Sequence, residues 1–278
     1  MAERLPPGLY IVATPIGNLG DLSSRAAETL RRADRILVED TRVSGKLLAH
    51  IGAKAPMSRY DDHSSGDERQ RIVAMLGEQG IALISDAGTP LISDPGYKLV
   101  RAARAAGHAV HTVPGPSALI AALTLAGLPT DRFLFGGFLP PKAKAKSDAI
   151  AELGALRATL VFYESGPRLA DTLAIMAHLL GAREAAVARE ITKLHEECVT
   201  GPLDELARHY AASAPPKGEM VIVVGPPAEA ESASDAELDA AIDEALTRLS
   251  PSRAAAEVAD RLSVPRRRAY ARALELAR

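Results

Sequence analysis

Residues 81–106 read IALISDAGTPLISDPGYKLVRAARAA, and this stretch decides the class of fold. It begins with a short apolar run at Ile81–Ile84, continues through a turn-rich segment at 85–96, and ends with apolar residues at helical spacing over 97–106, before Gly107. A short continuous apolar run is typical of a strand buried on both faces, which is common in parallel sheets. A strand, a loop and a helix in this order form the repeating unit of an α/β fold.

The same alternation of strands and helices continues through the first half of the chain. Each apolar run ends near Gly, Pro or Asp, and apolar residues at helical spacing lie between the runs. We therefore predict an N-terminal α/β domain over residues 1–137. Further strands are predicted at Leu9–Ala13, Ile36–Val38 and Ala109–Val113, and further helices at about 22–33 and 43–50.

The second half contains strand patterns again, after a proline pair and alternating lysines at 139–146. We interpret 139–146 as a linker or exposed loop between two domains. A second α/β domain is predicted over 138–226, and the segment 194–200 could add a strand that makes its sheet mixed. The other predicted elements are strands at Thr159–Tyr163, Ala185–Ala188 and Met220–Val224 and a helix at about 168–180.

The C-terminal segment predicts a small basic helical domain at 234–278, after a second Pro- and Ala-rich linker at 225–234. Helices are predicted at about 238–249, 252–262 and 266–277. Two short helices around a tight turn form either a helix-turn-helix or a generic helical cap. The generic cap is the preferred interpretation of this pattern taken alone.

The composition indicates an ordinary globular protein. The 278 residues are 47% apolar and 24% charged, and one cysteine, Cys198, leaves no internal disulfide and no thiolate metal cluster. No apolar run approaches the roughly 18 residues that a membrane span needs, and the first residues lack the pattern of a signal peptide. We expect a cytoplasmic protein without a membrane partner.

Charge is distributed unevenly along the chain. The net charge is −2, but residues 251–278 hold seven arginines against three carboxylates, a formal +4 that leaves −6 for the rest. This asymmetry indicates either an anionic partner at that end or a solvated helix face. Aromatic residues make up only 4% of the chain and Trp is absent, which argues against a surface on which many bases stack.

Several common types of site are excluded by their missing motifs. The loop after the first strand, at 13–21, has only Gly17 and Gly20, so the G-x-G-x-x-G fingerprint is absent, and no G-x-x-x-x-G-K-[ST] loop occurs. Pro15 removes a backbone donor from this loop, which disfavours phosphate binding. No H-E-x-x-H pair and no G-x-S-x-G turn is present, so we expect neither a metal site nor a serine hydrolase.

Two other loops after strands carry candidate chemistry. The segment 85–96 has two Asp, two Gly and two Pro; the glycines allow positive φ or close approach, and the carboxylates suit an amine, a cation or a ribose hydroxyl. The segment 113–118 leads into a helix, where Ser117 offers its hydroxyl or its amide. An ordinary turn and a simple helix start are the alternatives.

These three loops together resemble the tetrapyrrole methylase superfamily, and most closely its ribosomal RNA small-subunit methyltransferase I branch. The resemblance covers about residues 8–225 in order, and the basic helical tail also resembles that branch. The segments that carry it are VATPIGNLGDLS, ILVEDTRVSGKLL, LISDAGTPLISDPGYKLV, VPGPSALIAAL, GGFLPPK, LVFYESGPRL, VAREITKLHEE and KGEMVIVV.

The resemblance implies two α/β domains with a cleft between them that binds S-adenosylmethionine. It places the cofactor against the loops of the first domain. The implied cofactor-binding residues are Pro15, Asp86, Ala87, Gly88, Thr89, Asp94, Pro95, Ser117 and Ala118. Candidates for a general base are Asp40, Asp86, Glu190 and Lys193, with structural ion pairs as the alternative for each. The implied RNA-binding residues are Arg42, Lys142, Lys144, Lys146, Arg189, Arg266, Arg267 and Arg268.

The expected activity is 2′-O-methylation of a cytidine ribose in 16S rRNA of the small ribosomal subunit, by a homodimer. A tetrapyrrole methyltransferase is one alternative, since a fold does not determine its substrate, and a non-catalytic ribosome-assembly factor is another. One departure is visible at Asp62-His63-Ser64, where the branch usually has Asn after the histidine. This departure argues against a chemical role for His63 and the residue that follows it.

Overall fold

The structure, a computed structural model, describes residues 4–61, 64–228, 233–262 and 264–277. The chain divides into two compact units, residues 1–227 and 228–278. The first contains two sheets and the second contains three helices. Among the described residues, none of the helices combines the length and the apolar character that crossing a membrane requires.

The first sheet is entirely parallel, as the apolar runs predict. Its strands are β1 (Gly8–Val12), β2 (Arg35–Val38), β3 (Met57–Arg59), β4 (Gly80–Leu83) and β5 (Val110–Val113). They lie in the order β3-β2-β4-β1-β5. β3 was not predicted, because it is short and largely exposed and has no apolar run.

Helices cover both faces of the first sheet. They are α1 (Ser24–Arg32), α2 (Thr41–Ile51), α3 (Gly66–Met75) and α4 (Tyr97–Ala105). Ile36 and Val38 of β2 pack with α1 and α2, whereas Leu37 between them packs with α3 and α4. Because successive strand residues point to opposite faces, burial on both faces produces the continuous apolar runs of the sequence.

The chain leaves the first sheet earlier than predicted. α5 (Ala118–Ala126) packs Leu119 and Leu123 against the second sheet, and β6 (Phe133–Phe138) is a strand of that sheet. The predicted boundary between residues 137 and 138 is therefore wrong, since it cuts through β6. The division between the sheets falls between 126 and 133.

The second sheet is mixed, as expected if the segment 194–200 adds a strand. Its remaining strands are β7 (Thr159–Ser165), β8 (Glu184–Arg189), β9 (Glu197–Pro202) and β10 (Glu219–Val224). The order is β6-β7-β10-β8-β9. β6 and β7 are parallel and the other neighbours are antiparallel.

Three helices pack on the face of the second sheet opposite α5. They are α6 (Ala143–Gly154), α7 (Gly166–Leu180) and α8 (Leu203–Ala211). The predicted linker at 139–146 is wrong in its second half, because α6 begins at Ala143. Two residues along a helix turn by about 200°, so Lys144 faces solvent whereas Lys146 points into the protein.

The second unit is a bundle of three helices, close to the predicted positions. They are α9 (Asp235–Leu246), α10 (Pro251–Leu262) and α11 (Arg266–Leu276). A capping box between Ser234 and Glu237 starts α9. The core consists largely of alanines, including Ala254, Ala259 and Ala269, whose small side chains let the helices approach closely. Residues 229–232 of the predicted linker lie outside the described residues.

Candidate active site

A cavity of about 700 Å³ lies between the two sheets of the first unit. One wall consists of the loops that follow β1, β4 and β5, at 13–21, 85–96 and 114–117. The other wall consists of the ends of β8 and β10 and the loop at 190–196. The carboxyl ends of parallel strands are the usual ligand-binding edge of an α/β sheet, so we treat this cavity as the candidate active site.

Hydrogen bonds join the three loops of the first wall. Thr14 N–H donates to the Gly88 carbonyl at 2.8 Å, and Gly88 N–H donates back to the Thr14 carbonyl at 3.2 Å. Thr89 Oγ1 donates to the Pro116 carbonyl at 2.9 Å, which ties in the third loop. The backbone of the first wall is thus held in one arrangement.

The two glycines of the segment 85–96 have the conformations predicted for them. Gly88 has a φ of +89°, and a Cβ there would lie 3.1 Å from Ile16 Cγ2. Gly96 has a φ of +134°, and a Cβ there would lie 2.7 Å from Leu83 Cδ2. Both positions combine a backbone that favours glycine with a close approach.

Backbone strain is concentrated at the cavity. The non-glycine residues with positive φ in the described part of the chain are Leu91 (74°), Ser93 (61°), Glu190 (50°) and Thr192 (66°). The first two lie in one wall and the other two in the opposite wall. Such conformations cost roughly 1–3 kcal/mol each and cluster at functional sites.

Side chains hold the loop at 190–196 in the second wall. Lys193 Nζ lies 3.0 Å from Glu190 Oε1. Asn18 Nδ2 donates to the Thr192 carbonyl at 3.2 Å, which connects this loop to the first wall. The two walls therefore touch at one edge of the cavity.

Carboxylates dominate the charge of the cavity. Burial raises the pKa of Asp94 to about 6, and a hydrogen bond with Ser85 opposes part of this rise. The carboxylates of Glu39, Asp86 and Glu219 raise the pKa of Asp94 further. Burial also raises the pKa of Asp86, whose Oδ1 accepts the Asp40 N–H at 3.2 Å. A site with this many carboxylates favours a cationic ligand.

Sequence reasoning missed four polar residues that line the cavity, Glu39, Ser93, Tyr163 and Glu219. Burial is the main cause that raises the pKa of Tyr163, whose ring meets the edges of Phe135 and Phe138 with centroids 4.8 and 5.4 Å away. Glu39 directly follows a predicted strand and Tyr163 ends one, so applying the strand-end rule to every strand would have found both.

Most of the residues predicted to contact the cofactor share this cavity. Pro15 and Pro95 belong to the same loops but do not line it. The others all line it; they are Asp86, Ala87, Gly88, Thr89, Asp94, Ser117 and Ala118. Their contact with a cofactor stays a prediction.

Three of the four candidate bases also line the cavity, namely Asp86, Glu190 and Lys193. Asp40 does not; it is the N-cap of α2 and accepts the Arg42 N–H at 2.8 Å. Hydrogen bonds from the Arg42 side chain hold the pKa of Asp40 at about 2. Asp40 therefore has a structural explanation, and it is a poor proton acceptor at neutral pH.

The lysines predicted to bind RNA have different surroundings. Lys142 and Lys144 are exposed, whereas Lys146 is only 4% exposed. Lys146 Nζ donates to Thr172 Oγ1 at 2.6 Å and lies 3.7 Å from the fully buried carboxylate of Glu164. The prediction that Lys146 contacts RNA is wrong, because a buried, paired ammonium is out of reach of a phosphate.

The two predicted arginines of the first unit are both in ion pairs. Arg42 is highly exposed and pairs with Asp40 at 2.6 Å. Arg189 lines the cavity and pairs with Glu197 at 2.5 Å. Both guanidinium groups reach solvent, so an anionic substrate could contact either of them.

The tail arginines are also unequal. Arg268 pairs with Asp235 at 2.8 Å and donates to a backbone carbonyl, and Arg266 pairs weakly with Asp260 at 3.4 Å. Arg267 is exposed and has no ion pair among the described residues. All three arginines lie in the first turn of α11, where the helix dipole disfavours cations. Arg278 lies outside the described residues.

The segment with the departure from the branch is only partly described. Asp62 and His63 lie outside the described residues. Ser64 Oγ accepts the Asp61 N–H at 3.1 Å, as in an ordinary turn. Ser64 therefore has a local structural explanation.

Comparison with protein families finds matches over both units. Residues 8–207 match the model described as Tetrapyrrole (Corrin/Porphyrin) Methylases. Residues 232–277 match the model described as RsmI C-terminal HTH domain. The second match overturns the preferred interpretation of the tail as a generic helical cap and favours the helix-turn-helix alternative.

Similar proteins extend over nearly the whole chain. A protein of Erythrobacter litoralis named ribosomal RNA small subunit methyltransferase I is 56% identical over 99% of this chain and 97% of its own length. A protein of Mesorhizobium japonicum with the same name is 48% identical over 99% of this chain and 94% of its own. The crystal structure of uroporphyrin-III-C-methyltransferase from Thermus thermophilus matches the fold with a TM-score of 0.56 and 21% identity, over 79% of this chain and 94% of that one.

Proposed function

The chain belongs to the tetrapyrrole methylase family and, within it, to the ribosomal RNA small subunit methyltransferase I group, and from this premise we propose that it methylates the 2′-hydroxyl of a cytidine ribose in 16S rRNA. The observation that carries the proposal is the carboxylate-rich cavity between two strained, facing walls.

The donor set of the cavity fits S-adenosylmethionine. Asp86 and Asp94 would hold its cationic groups, because a sulfonium and an amino group favour nearby carboxylates. Ser117 and Ala118, at the start of α5, would offer backbone N–H groups to its carboxylate. When bound, S-adenosylmethionine supplies an electrophilic methyl group on a positively charged sulfur.

Glu190 and Lys193 are the pair that we assign to the acceptor hydroxyl. The hydroxyl oxygen must lose its proton as it gains the methyl group, and Glu190 Oε1 would accept that proton. The Lys193 side chain, whose Nζ lies 3.0 Å from Glu190 Oε1, would stabilise negative charge on the oxygen. Both side chains line the wall opposite the segment 85–96, and they are 29% and 43% exposed, so a substrate can reach them. A general base contributes roughly 10²–10⁴-fold to the rate.

The second unit supports RNA as the substrate. In a helix-turn-helix, the first turn of the second helix contacts nucleic acid, and α11 begins with three arginines. Arg267, exposed and without an ion pair among the described residues, is the side chain best placed to bind a phosphate. The small ribosomal subunit as partner, a homodimer and a cytoplasmic location belong to the same proposal as predictions from the family.

The decisive experiment is transfer of labelled methyl groups from S-adenosylmethionine to small ribosomal subunits from cells that lack this enzyme. Naked rRNA and a tetrapyrrole precursor are assayed in parallel, and the labelled RNA is mapped with nucleases. We expect label in a nuclease-resistant dinucleotide, as 2′-O-methylation requires. Label in the tetrapyrrole alone would overturn the substrate, and binding without turnover would favour an assembly factor.

The contribution of the tail is tested separately, with Arg267→Glu and, as the matched control, Arg267→Lys. We expect Arg267→Glu to weaken RNA binding and to reduce the slope of log K against log salt by about 1, because one phosphate contact is lost. Arg267→Lys should stay near the wild type, and the affinity for S-adenosylmethionine should not change in either variant. An equal loss of cofactor affinity would show that Arg267 is structural.

A further inference from the structure

Leu194 is exposed to an unusual degree for a large apolar side chain. Its exposure is 92%, whereas the next most exposed large apolar side chain in the described residues, Tyr97, reaches 53%. Exposing a full leucine side chain to water is unfavourable relative to burying it. Leu194 therefore stands apart from the other large apolar side chains of the described residues, and its position beside the cavity points to a role in binding.

Hydrogen bonds within the loop at 190–196 hold the Leu194 side chain in its exposed position. Lys193 N–H donates to the Glu190 carbonyl at 2.9 Å, and Glu196 N–H donates to the Lys193 carbonyl at 3.1 Å. Thr192 N–H donates to Glu196 Oε2 at 2.7 Å. These bonds maintain the positive φ angles of Glu190 and Thr192, and they fix Leu194 at the tip of a tight, strained turn.

Leu194 also lies beside the candidate active site. It lines a second depression, of about 830 Å³, which shares Arg189, Glu190 and Gly218 with the cavity described above. The base assigned to the acceptor hydroxyl, Glu190, therefore borders both spaces. A group that fills the second depression would therefore lie next to the acceptor hydroxyl.

The charges around Leu194 largely cancel. Lys193 pairs with Glu190 and Arg189 pairs with Glu197. Lys217 and Glu196, which also line the depression, carry opposite charges. Such paired groups give little net attraction for a phosphate, so Leu194 is not the centre of a phosphate-binding site. Its contribution to binding is apolar contact.

We propose that Leu194 is a positioning residue that inserts into the RNA beside the target nucleotide and unstacks its base, so that the ribose enters the cavity. This inference rests on the proposed function. Leucine wedges separate neighbouring bases in nucleic acids, and such a wedge offsets part of the free-energy cost of extruding a nucleotide. A rigid loop suits this role because a flexible one would yield instead of separating the bases.

The test compares Leu194→Ala with Leu194→Ile, which keeps the apolar volume, and with Leu156→Ala as the matched control. Leu156 is 40% exposed. It lies just before the first residue of β7, whereas Tyr163, which lines the cavity, lies near the other end of that strand. Single-turnover methylation of small ribosomal subunits, the dissociation constants of S-adenosylmethionine and of the subunit, and the solution mass of each variant are measured.

We expect Leu194→Ala to reduce the single-turnover rate about 10- to 100-fold, as losing part of an unstacking energy of a few kcal/mol implies. Cofactor affinity and solution mass should not change, and Leu194→Ile should recover most of the rate. On subunits assembled with an abasic residue beside the target nucleotide, the difference between the wild type and Leu194→Ala should shrink, because no neighbouring base is left to unstack.

Three results would overturn the inference while the proposed function stands. They are wild-type rates for Leu194→Ala, an equal loss for Leu156→Ala, and a changed solution mass for Leu194→Ala, which would assign the leucine to a contact between copies of the chain. A wild-type enzyme that does not methylate the subunit would contradict the proposed function itself, and the inference would fail with it.

Discussion

The two walls of the cavity are built in different ways. Backbone hydrogen bonds between Thr14 and Gly88 hold the first wall, and positive-φ glycines let its loops approach closely. The second wall adds contacts of charged and polar side chains to its backbone hydrogen bonds, including the ion pair of Glu190 with Lys193 and the bond from Asn18. A wall fixed by its backbone suits a cofactor that is the same in every turnover, whereas charged side chains suit proton transfer to and from an acceptor. We therefore assign cofactor affinity to the first wall and the acceptor chemistry to the second.

Replacing Glu190 with Gln tests this division most directly. Gln keeps the shape of the side chain but cannot accept the proton, so we expect the single-turnover rate to fall by about 10²-fold or more. The dissociation constant of S-adenosylmethionine should stay within about twofold of the wild type, since a wall that handles only the acceptor contributes little to cofactor binding.

The matched control is Asp40→Asn, which removes the charge of the other carboxylate candidate and keeps an N-cap residue on α2. We expect a nearly unchanged rate, because Asp40 lies outside the cavity and is already held by Arg42. A large loss of rate in Asp40→Asn, with little in Glu190→Gln, would show that the acceptor chemistry does not belong to the second wall.

The first wall could be predicted from the sequence to a much greater extent than the second. Its loops follow apolar runs such as Ile81–Ile84, and their Gly, Pro and Asp residues are local signals. Those signals are sufficient to predict that Asp86 and Asp94 belong to a ligand-binding loop, and both line the cavity. The two glycines of the segment 85–96 have the positive φ angles that this turn-rich segment predicts.

What the sequence could not predict depends on distant partners. β6 carries two glycines and a register shift after Phe135, which interrupt the strand pattern. Lys146 is buried only because Glu164 and Thr172 meet it from other elements. Glu219 lines the cavity from the start of β10. A rule that considers only the carboxyl ends of strands does not predict it. Each of these features is set by tertiary contacts.

The pH dependence of cofactor affinity measures the charge of the first wall. Asp94 has a pKa raised by burial to about 6, and a cation binds its ionised form. We expect the affinity for S-adenosylmethionine to fall about tenfold between pH 7.5 and 5, as the carboxylate takes up its proton. In Asp94→Asn the affinity should be lower at pH 7.5 and should change much less over this range. A wild-type profile as flat as that of the variant would contradict the assignment.

The contribution of Asp94 to the free energy of unfolding should change with pH in the opposite direction to its contribution to cofactor affinity. A carboxyl group whose pKa is raised in the folded state contributes its full stability below its unfolded pKa, and that contribution is lost as the pH rises through about 6. Without cofactor, Asp94→Asn should therefore be more stable than the wild type at pH 7.5, by about 1–2 kcal/mol. The difference should vanish near pH 4. Urea unfolding at the two pH values checks this.

The smallest expected effect on cofactor affinity comes from the backbone of the first wall, in Gly88→Ala. Gly52→Ala is the matched control, because Gly52 also has positive φ (+68°) but a Cβ there would meet nothing within 4 Å. A left-handed conformation costs an L-residue about 1–2 kcal/mol, so both variants should lose about that much stability. Gly88→Ala should lose more, since its Cβ would lie 3.1 Å from Ile16 Cγ2.

Only Gly88→Ala should also weaken the binding of S-adenosylmethionine, by a few-fold, because pushing Ile16 away shifts the loop that Thr14 and Gly88 hold together. Urea unfolding and calorimetric titration of the two variants separate the effects. If Gly88→Ala lost no more stability than Gly52→Ala and bound the cofactor equally well, close approach of these loops would not determine the shape of the first wall. The backbone would then be only a support, and affinity would have to come from the carboxylates alone.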